Sequence, residues 1–289
     1  MRFKRALGVF IFMVFCFGNP AVAGTASGRF TAGKAAISPK YADAYVVRDQ
    51  FDGRKSEVEV VLSELPFDAK EAATELDPHG FAINADALKQ GNYILLWVKP
   101  DGGVSMNATF SQSMSQYGDD TRRGLKATLT LNTPEKIEGR VFTPKPVKTM
   151  SGETYKIDVK FSTAVASTKG GSNLPADGGE PLKALKGLYR AIAKKDLKAI
   201  KSGMTAENVS QLMSDNKNDE ENLKSVTDIL EIWLPKKMKF LSGTISDDRA
   251  ILELQGEPYE GTKMVYLVRM AKTGARWTFD RAVPAGFMK

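Results

Sequence analysis

A low-complexity stretch near the middle of the chain constrains its fold more than any other feature. Residues 162–181 read STAVASTKGGSNLPADGGEP, a run of small and turn-forming residues with almost no large apolar side chain. A segment of this composition has little to bury and is typical of a flexible linker. The sequence therefore predicts two domains, at 25–162 and 181–289, joined by a flexible linker at 163–180.

The region before the linker has the composition of β-strands. Several segments, such as LKATLTL at 125–131, alternate apolar and polar positions, and turn residues such as PDGG at 100–103 separate them. This pattern predicts an all-β antiparallel sandwich. Residues 66–90 are expected to form a long connection with a helical turn or two. The predicted strands lie at 41–48, 57–63, 93–98, 104–110, 125–131, 137–142 and 155–161.

The region after the linker begins with helices and ends with strands. Apolar residues at 182, 185, 188 and 192 share one helical face, and Pro235 is expected to end the last helix. Strands are predicted at 238–245, 249–255, 264–270 and 276–281. Helices packed on one face of an antiparallel sheet make an α+β fold. The residues predicted to cap the later helices are Asp196, Thr205, and either Asn218 or Asp219.

Three segments of this second region carry a family resemblance: AIAKKDLKAIKSGMT, GTISDDRAILELQGE and the closing LVRMAKTGARWTF. They resemble the nuclear-transport-factor-2-like superfamily, in its exported, lumazine-binding-like branch of unknown function. The resemblance implies a cone-like α+β domain. Enzymes of that superfamily rely on an Asp or His inside the cone, and no histidine follows residue 79. A histidine-dependent activity of this domain is therefore not expected.

The first region also resembles a known group, the uncharacterised exported bacterial β-sandwich domains. The resemblance is carried by YADAY at 41–45, by EVEVVLSELP at 57–66, and by GRVFT at 139–143 ahead of YKIDV at 155–159. These matching segments are structural. The resemblance implies a fold for the first region and no catalytic residues.

The start of the chain predicts a secretory signal peptide. The basic opening MRFKR precedes an apolar run that is too short to span a bilayer, and a small-x-small site ends at Ala23. Cleavage after Ala23 would remove Cys16, the one cysteine of the sequence. The mature chain is therefore expected to be periplasmic or secreted, without disulfides or thiolate chemistry.

The charge of the chain gives little reason to expect a nucleic-acid partner. Subtracting the three basic residues of the leader from the formal net charge of +7 leaves a mild +4, with no basic patch interleaved with aromatics. If residues 182–201 formed one helix, its basic side chains would share a face that could touch an anionic surface. A solvated helix face is the favoured alternative. The residues of this basic stripe are Lys183, Lys186, Arg190 and Lys194, followed by Lys198 and Lys201.

Four aromatic residues of the second region form the candidate ligand-binding set. Tyr189 and Trp233 lie on predicted helices, and Tyr266 and Trp277 on predicted strands. Together they could line a pocket for a small apolar ligand. The same residues would suit a filled core equally well, because buried Tyr and Trp routinely anchor cores. Core filling is the favoured alternative.

The sequence contains no recognisable set of catalytic residues. His79 is the one histidine, and its Pro and Gly neighbours favour an exposed loop rather than a base or a metal ligand. We therefore expect a non-catalytic binding protein of the cell envelope, which binds an envelope protein or a small ligand, with no cofactor and no metal. One alternative is an enzyme acting in the C-terminal cavity through Asp228 or Glu231. Another is an assembly protein that docks through an edge strand of the sandwich.

Overall fold

The computed structural model describes residues 24–110, 115–148, 152–167, 171–214, 216–235 and 237–288. The predicted signal peptide, residues 1–23 with Cys16, lies outside these ranges and stays a prediction. We call residues 24–166 the first unit. Its strands are β1 (Gly24–Ala32), β2 (Ala35–Ile37), β3 (Tyr41–Asp49), β4 (Asp52–Ser63), β5 (Tyr93–Val98), β6 (Val104–Phe110), β7 (Ser115–Asp120), β8 (Lys126–Asn132), β9 (Lys136–Phe142), β10 (Val147–Lys148) and β11 (Thr154–Ala166), and its helices are α1 (Ala69–Thr74), α2 (Pro78–Asn84) and α3 (Asp86–Gln90).

The strands of the first unit belong to one large sheet. Its order is β7-β6-β5-β4-β3-β1-β11-β9-β8, with β2 paired to β1 and β10 to β11. The pairings are antiparallel apart from a short parallel contact of β11 with β3. The sheet curls so that its two halves share a core, where Phe30 of β1 packs 5.9 Å from Phe110 of β6 and 5.8 Å from Tyr117 of β7. The predicted β-rich class with antiparallel sheets is confirmed.

The three short helices of the first unit cover the outer face of β3, β4 and β5. Asp68 caps α1 and Asp77 caps α2, each accepting from backbone N–H groups of the first turn. Apolar side chains of the helices and the strands form a second core beneath them. This core consists of Tyr45, Val47, Val61, Phe67, Ala69, Ala72, Ala82, Leu88, Tyr93 and Leu95.

We call residues 172–287 the second unit. Its sheet has the order β12-β13-β14-β15-β16, and apolar helix faces pack against one side of that sheet. Asp196, Thr205 and Asn218 accept from backbone N–H groups at three helix starts, as predicted. Its elements are β12 (Ser172–Asn173), α4 (Gly179–Ala193), α5 (Leu197–Gly203), α6 (Ala206–Leu212), α7 (Asp219–Trp233), β13 (Lys239–Ile245), β14 (Arg249–Gly256), β15 (Met264–Thr273) and β16 (Arg276–Phe287).

The segment predicted as a linker contains more regular structure than its composition indicates. Strand β11 continues four residues past position 162, because Val165 is buried in the first core. Strand β12 pairs with β13, and Leu174 packs against the second core. Strands β11 and β12 therefore extend into the predicted linker segment from its two ends, and residues 168–170 lie outside the described ranges.

The condition for the basic stripe, one continuous helix over residues 182–201, is not met, and the predicted cap at Asp196 marks the break. Helix α4 ends at Ala193, Lys195 adopts a positive φ of 56°, and Asp196 caps the next helix. The break divides the predicted basic stripe, and the ammonium of Lys183 lies 2.7 Å from the Glu180 carboxylate. Across the described ranges, the helices are too short or too polar to cross a lipid bilayer.

Candidate functional site

A groove of about 880 Å³ lies between the two units. One wall is the outer face of β3, β4, β5 and β6 together with the start of α2, and it carries most of the polar side chains. The opposite wall comes from β14, β15 and β16 and includes Ile251, Leu267 and Pro284. A cavity with an apolar wall and a few polar groups is the usual form of a ligand site.

Ion pairs between the units hold the two walls of the groove together. The guanidinium of Arg48 on β3 pairs with Glu253 on β14. Arg269 on β15 pairs with Asp280 and lies 3.4 Å from the Glu75 carboxylate at the end of α1. All five side chains are partly buried. Because they are only partly buried, we expect each pair to contribute modestly to stability.

The units also touch backbone to backbone. Gly286 on β16 has a φ of +123°, and a Cβ atom placed on it would lie 2.5 Å from the Asp49 carbonyl oxygen and 2.8 Å from the Cα of Gly53. Any side chain here would clash with β3 and β4, so glycine is required at this contact. The Phe287 N–H donates to the carbonyl of Gln50, 3.2 Å away, beside it.

A buried carboxylate forms the polar centre of the first wall. Glu59 is 0% exposed and accepts from three side chains. The Trp97 Nε1–H donates to Oε2 at 2.8 Å, and His79 Nδ1 lies 2.9 Å from the same oxygen. The Tyr45 hydroxyl donates to Oε1. A buried charge is tolerated when hydrogen bonds satisfy it, as these three donors do here. We call these four residues the Glu59 cluster.

Local sequence rules explain how the Glu59 cluster assembles. Side chains alternate along a strand, so Glu57 and Glu59 of β4 point to the same outer face while Val58 and Val60 point to the core. The ladder between β4 and β5 places Trp97 directly opposite Glu59. Helix α2 then brings His79 over the same face, because Asp77 caps that helix and Pro78 occupies its first position.

The Glu59 cluster leaves one ring nitrogen of His79 available to the groove. Nδ1 is engaged by Glu59, while 41% of the His79 side chain is exposed. The hydrogen bond to Glu59 raises the pKa of His79, and the nearby Asp77 carboxylate adds to the rise. Burial and the charge of Glu59 also raise the pKa of Tyr45, so that this phenol stays protonated and donates.

Glu57 is the least satisfied carboxylate of the groove wall. Among the described residues, it has neither an ion pair within 4.0 Å nor a hydrogen bond. Burial and the charge of Asp49 raise its pKa to about 7, an effect that the charge of Lys99 partly offsets. The carboxylate of Glu57 therefore loses or gains its proton near neutral pH.

A second buried carboxyl lies under the helices, away from the groove. Asp43 of β3 is 7% exposed, and within the described chain its Oδ2 atom has no hydrogen-bond partner. Burial, and then the nearby Asp68 carboxylate, raise the pKa of Asp43 to about 7, while the backbone N–H of Phe67 opposes the shift. Replacement of Asp43 therefore tests how a buried carboxyl affects the stability of the first unit.

The groove does not assemble a metal centre from the residues that the structure describes. In those ranges no three carboxylate or imidazole side chains converge in a way that could hold an ion. The donors and acceptors of the wall can instead form hydrogen bonds and ion pairs with an organic ligand. His79 and Trp97 add aromatic surface, with ring centroids 5.9 Å apart and planes inclined at 51°.

The four aromatic residues predicted to bind a ligand lie together at the core of the second unit. Tyr266 is buried, and Tyr189, Trp233 and Trp277 pack against the same core while partly exposed. The Tyr189 hydroxyl donates to the carbonyl of Pro235 at 2.8 Å. None of the four lines the groove, although Trp277 borders a smaller depression of about 500 Å³ near β12. Their role in ligand binding stays a prediction.

Two other expectations about functional residues need correction. His79 does not lie in a loop, because Pro78 begins a helix that holds the imidazole against Glu59. Asp228 and Glu231, the proposed acid or base of a C-terminal enzyme, are both exposed on α7. An exposed carboxylate is fully hydrated, so these two lack the buried surroundings that such a role requires.

Sequence reasoning missed the Glu59 cluster because its members are far apart in the chain. The alternation EVEVV at 57–61 does indicate that the two glutamates share a face, which was the one available signal. It does not tell whether that face is open to solvent. The partners on β5 and α2 follow only from the strand register and from the packing of a short helix.

Comparison of the chain with protein-family models, with characterised proteins and with solved structures found no match. The resemblances described from the sequence therefore stay hypotheses. The case for function depends on the groove and the residues that line it.

Proposed function

We propose that this protein is a non-catalytic binding protein of the cell envelope whose ligand occupies the groove between the two units. The observation that carries the proposal is the Glu59 cluster. A fully buried carboxylate with three donors stands in the wall of a groove of about 880 Å³. Burying such a group is costly unless its partners are fixed, so the wall is preorganised before a ligand arrives.

The arrangement of the groove supports binding between units. Its polar wall comes from the first unit and its apolar wall from the second, so a ligand would contact both at once. Small-molecule sites occur preferentially at domain interfaces. The signal-like start of the chain supports an exported location, periplasmic or secreted, in which such a protein would meet its ligand.

We also interpret the two units in terms of known folds. The curled sheet of the first unit, whose halves share one core, supports a β-sandwich. The helices packed on one face of the second sheet support a cone-like, nuclear-transport-factor-2-like domain. In that fold the helices cover the concave side, which is where the four predicted aromatics lie.

Native mass spectrometry of the protein, purified gently from the periplasm of its source cell, tests this proposal. We expect a reproducible small added mass. Ser105→Trp would fill the groove beside Trp97, because Ser105 is opposite Trp97 in the ladder between β5 and β6, and it should abolish the added mass. Thr128→Trp, on an exposed position of edge strand β8, is the matched control and should retain it.

Other results would favour other functions. If Trp277→Ala abolishes the added mass and Ser105→Trp does not, the aromatic set of the second unit is the ligand site. A protein that co-purifies in stable proportion would favour docking through a strand edge. A bare chain of the calculated mass in every preparation would contradict a tightly held groove ligand.

A further inference from the structure

The groove between the units has walls of two different characters, and together they indicate the chemical class of its ligand. We infer that the ligand is an amphiphilic organic cation, an ammonium group on an apolar chain, with its head beside Glu57 and Trp97 and its chain against the second unit. This inference rests on the proposed function of the same groove.

The cationic side chains of the groove already have carboxylate partners. Arg48 pairs with Glu253 of the second unit. Arg122 lies 2.8 Å from Asp120. The ammonium of Lys99 approaches Asp49 at 3.9 Å, and the His79 imidazole, a cation only when protonated, is held by Glu59. An anionic ligand would have to compete with each of these carboxylates, which makes this wall a poor anion site.

The carboxylate of Glu57, by contrast, has room for a new partner. It is half-buried, lines the groove, and has no ion pair among the described residues. A ligand cation placed there would gain an ion pair in a partly desolvated position, where such pairs are stronger than on an open surface. It would also offset the repulsion from Asp49, which together with the larger effect of burial raises the pKa of Glu57.

An aromatic surface stands beside this carboxylate. Trp97 is on β5, the strand that neighbours β4, and its Nε1–H is fixed by Glu59, which holds the indole in one orientation. His79 inclines to it at 51°, so that the two rings form a corner. A cation over the face of a tryptophan gains cation–π attraction, and aromatic corners are a recurrent way to bind quaternary ammonium groups.

The wall across the groove suits the rest of an amphiphile. Ile251, Leu267 and Pro284 face the polar wall of the first unit, and the described residues that the second unit contributes to the lining are uncharged. Glu253 and Arg269, on the same two strands β14 and β15, are engaged in ion pairs. An apolar chain laid on this wall would remove apolar surface from water, which favours binding. A purely polar cation would leave that wall unused.

Isothermal titration calorimetry of the full protein with two matched probes tests the inference. The probes are hexyltrimethylammonium and hexyl sulfate, which share the apolar chain and differ in the sign of the head group. We expect the ammonium probe to bind at least about tenfold more tightly, a difference of roughly 1.4 kcal/mol. Ser105→Trp should abolish this binding, because it fills the groove.

A charge variant then locates the head group. Glu57→Gln keeps the shape of the side chain and should weaken hexyltrimethylammonium about three- to tenfold, the range of a partly desolvated ion pair. The matched control is Glu135→Gln, since Glu135 is exposed in the turn between β8 and β9 and does not line the groove. It should leave the affinity unchanged.

The outcomes separate this inference from the proposed function. If hexyl sulfate binds more tightly and Ser105→Trp abolishes that binding, the groove is a ligand site but the cationic class is wrong. If Glu57→Gln has no effect on the ammonium probe, the head group does not lie where we place it. If neither probe binds at millimolar concentration, the inference of an amphiphilic cation is wrong. Native mass spectrometry then decides separately whether the groove binds a ligand.

Discussion

Glu59 of the first unit and Tyr266 of the second occupy comparable places, each on a central strand and on the sheet face that helices cover. Around Tyr266 the helices α4 and α7 are 15 residues each, long enough to run about 22 Å across the sheet. The helices near Glu59 are 6, 7 and 5 residues long. Long helices produce a filled core, whereas short ones leave part of the face open as a groove wall.

Residue type alone therefore does not locate a ligand site in this protein. The second unit offers aromatic side chains, which suit a pocket, and uses them to fill its core. The first unit offers a strand with two glutamates, which resembles an ordinary solvated face, and places them at the groove. What differs is the fraction of the sheet that its helices cover.

Replacement of Glu59 tests whether the Glu59 cluster organises the groove wall, and we expect it to lower the free energy of unfolding more than any other change described below. Glu59→Ala removes the acceptor of three donors and opens a cavity, so it should lower the free energy of unfolding by roughly 3–5 kcal/mol. Urea denaturation followed by circular dichroism at pH 7 measures the loss. Glu135→Ala, an exposed control, should stay within about 0.5 kcal/mol of the parent. A loss below about 1 kcal/mol for Glu59→Ala would mean that other contacts hold this face.

We expect the free energy of unfolding to depend on pH through Asp43, which lies on the helix-covered part of the same face. The pKa of Asp43 is raised from 3.8 to about 7, with the Asp68 carboxylate and the Phe67 N–H facing it. The Asp43 carboxyl therefore keeps its proton in the native state between about pH 4 and pH 7, where the unfolded chain has released it. The free energy of unfolding falls as the pH rises through this range.

Asp43→Asn, which cannot ionise, should remove this dependence and gain about 1–3 kcal/mol at pH 8 relative to the parent, with little change at pH 4. Thermal and urea unfolding across that pH range provide the measurement. An unchanged pH profile in the variant would show that Asp43 is hydrated in solution and ionises normally.

A smaller effect is expected for the aromatic face of the second unit. Tyr189→Phe removes the hydrogen bond to the Pro235 carbonyl and should cost about 1 kcal/mol in the free energy of unfolding. Because Tyr189 does not line the groove, probe binding there should be unchanged. If this variant loses the ligand while its free energy of unfolding is unchanged, the aromatic residues of the second unit bind the ligand and the groove wall of the first unit does not.

The smallest effect concerns the contact between the units. A double-mutant cycle of Arg48→Ala and Glu253→Ala should give a coupling of about 0.5–1 kcal/mol, because the pair is only partly buried. The Ser242 hydroxyl also donates to Glu253, and the cycle removes that contribution from the coupling. A coupling near zero would indicate that the two walls do not depend on this pair for their spacing.

Much of the secondary structure follows from the sequence, because local signals determine it. Strands β5 and β6 occupy the predicted residues, and the cap at Asn218 is joined by Glu221 in a capping box. Strand β1 was missed, because the segment Gly24–Ala32 carries glycines and short polar residues that do not resemble a strand. Its conformation comes from long pairing with β11, a tertiary effect.

The groove could not be derived in the same way. It depends on where short helices end and on the register that sets Trp97 opposite Glu59. It also depends on contacts between residues more than two hundred positions apart in sequence, such as Arg48 and Glu253. Periodicity reports which residues share a face. It does not report what stands against that face.

The contact of Gly53 with Gly286 has a consequence for how the protein is made. Strand β16 is the last described strand in the chain, and it supplies both the glycine contact and part of the apolar wall. The N-terminal part of a chain can generally fold first. The polar wall can therefore form early, while the groove exists only after β16 has joined the second sheet, so a ligand can be enclosed only once that strand is in place.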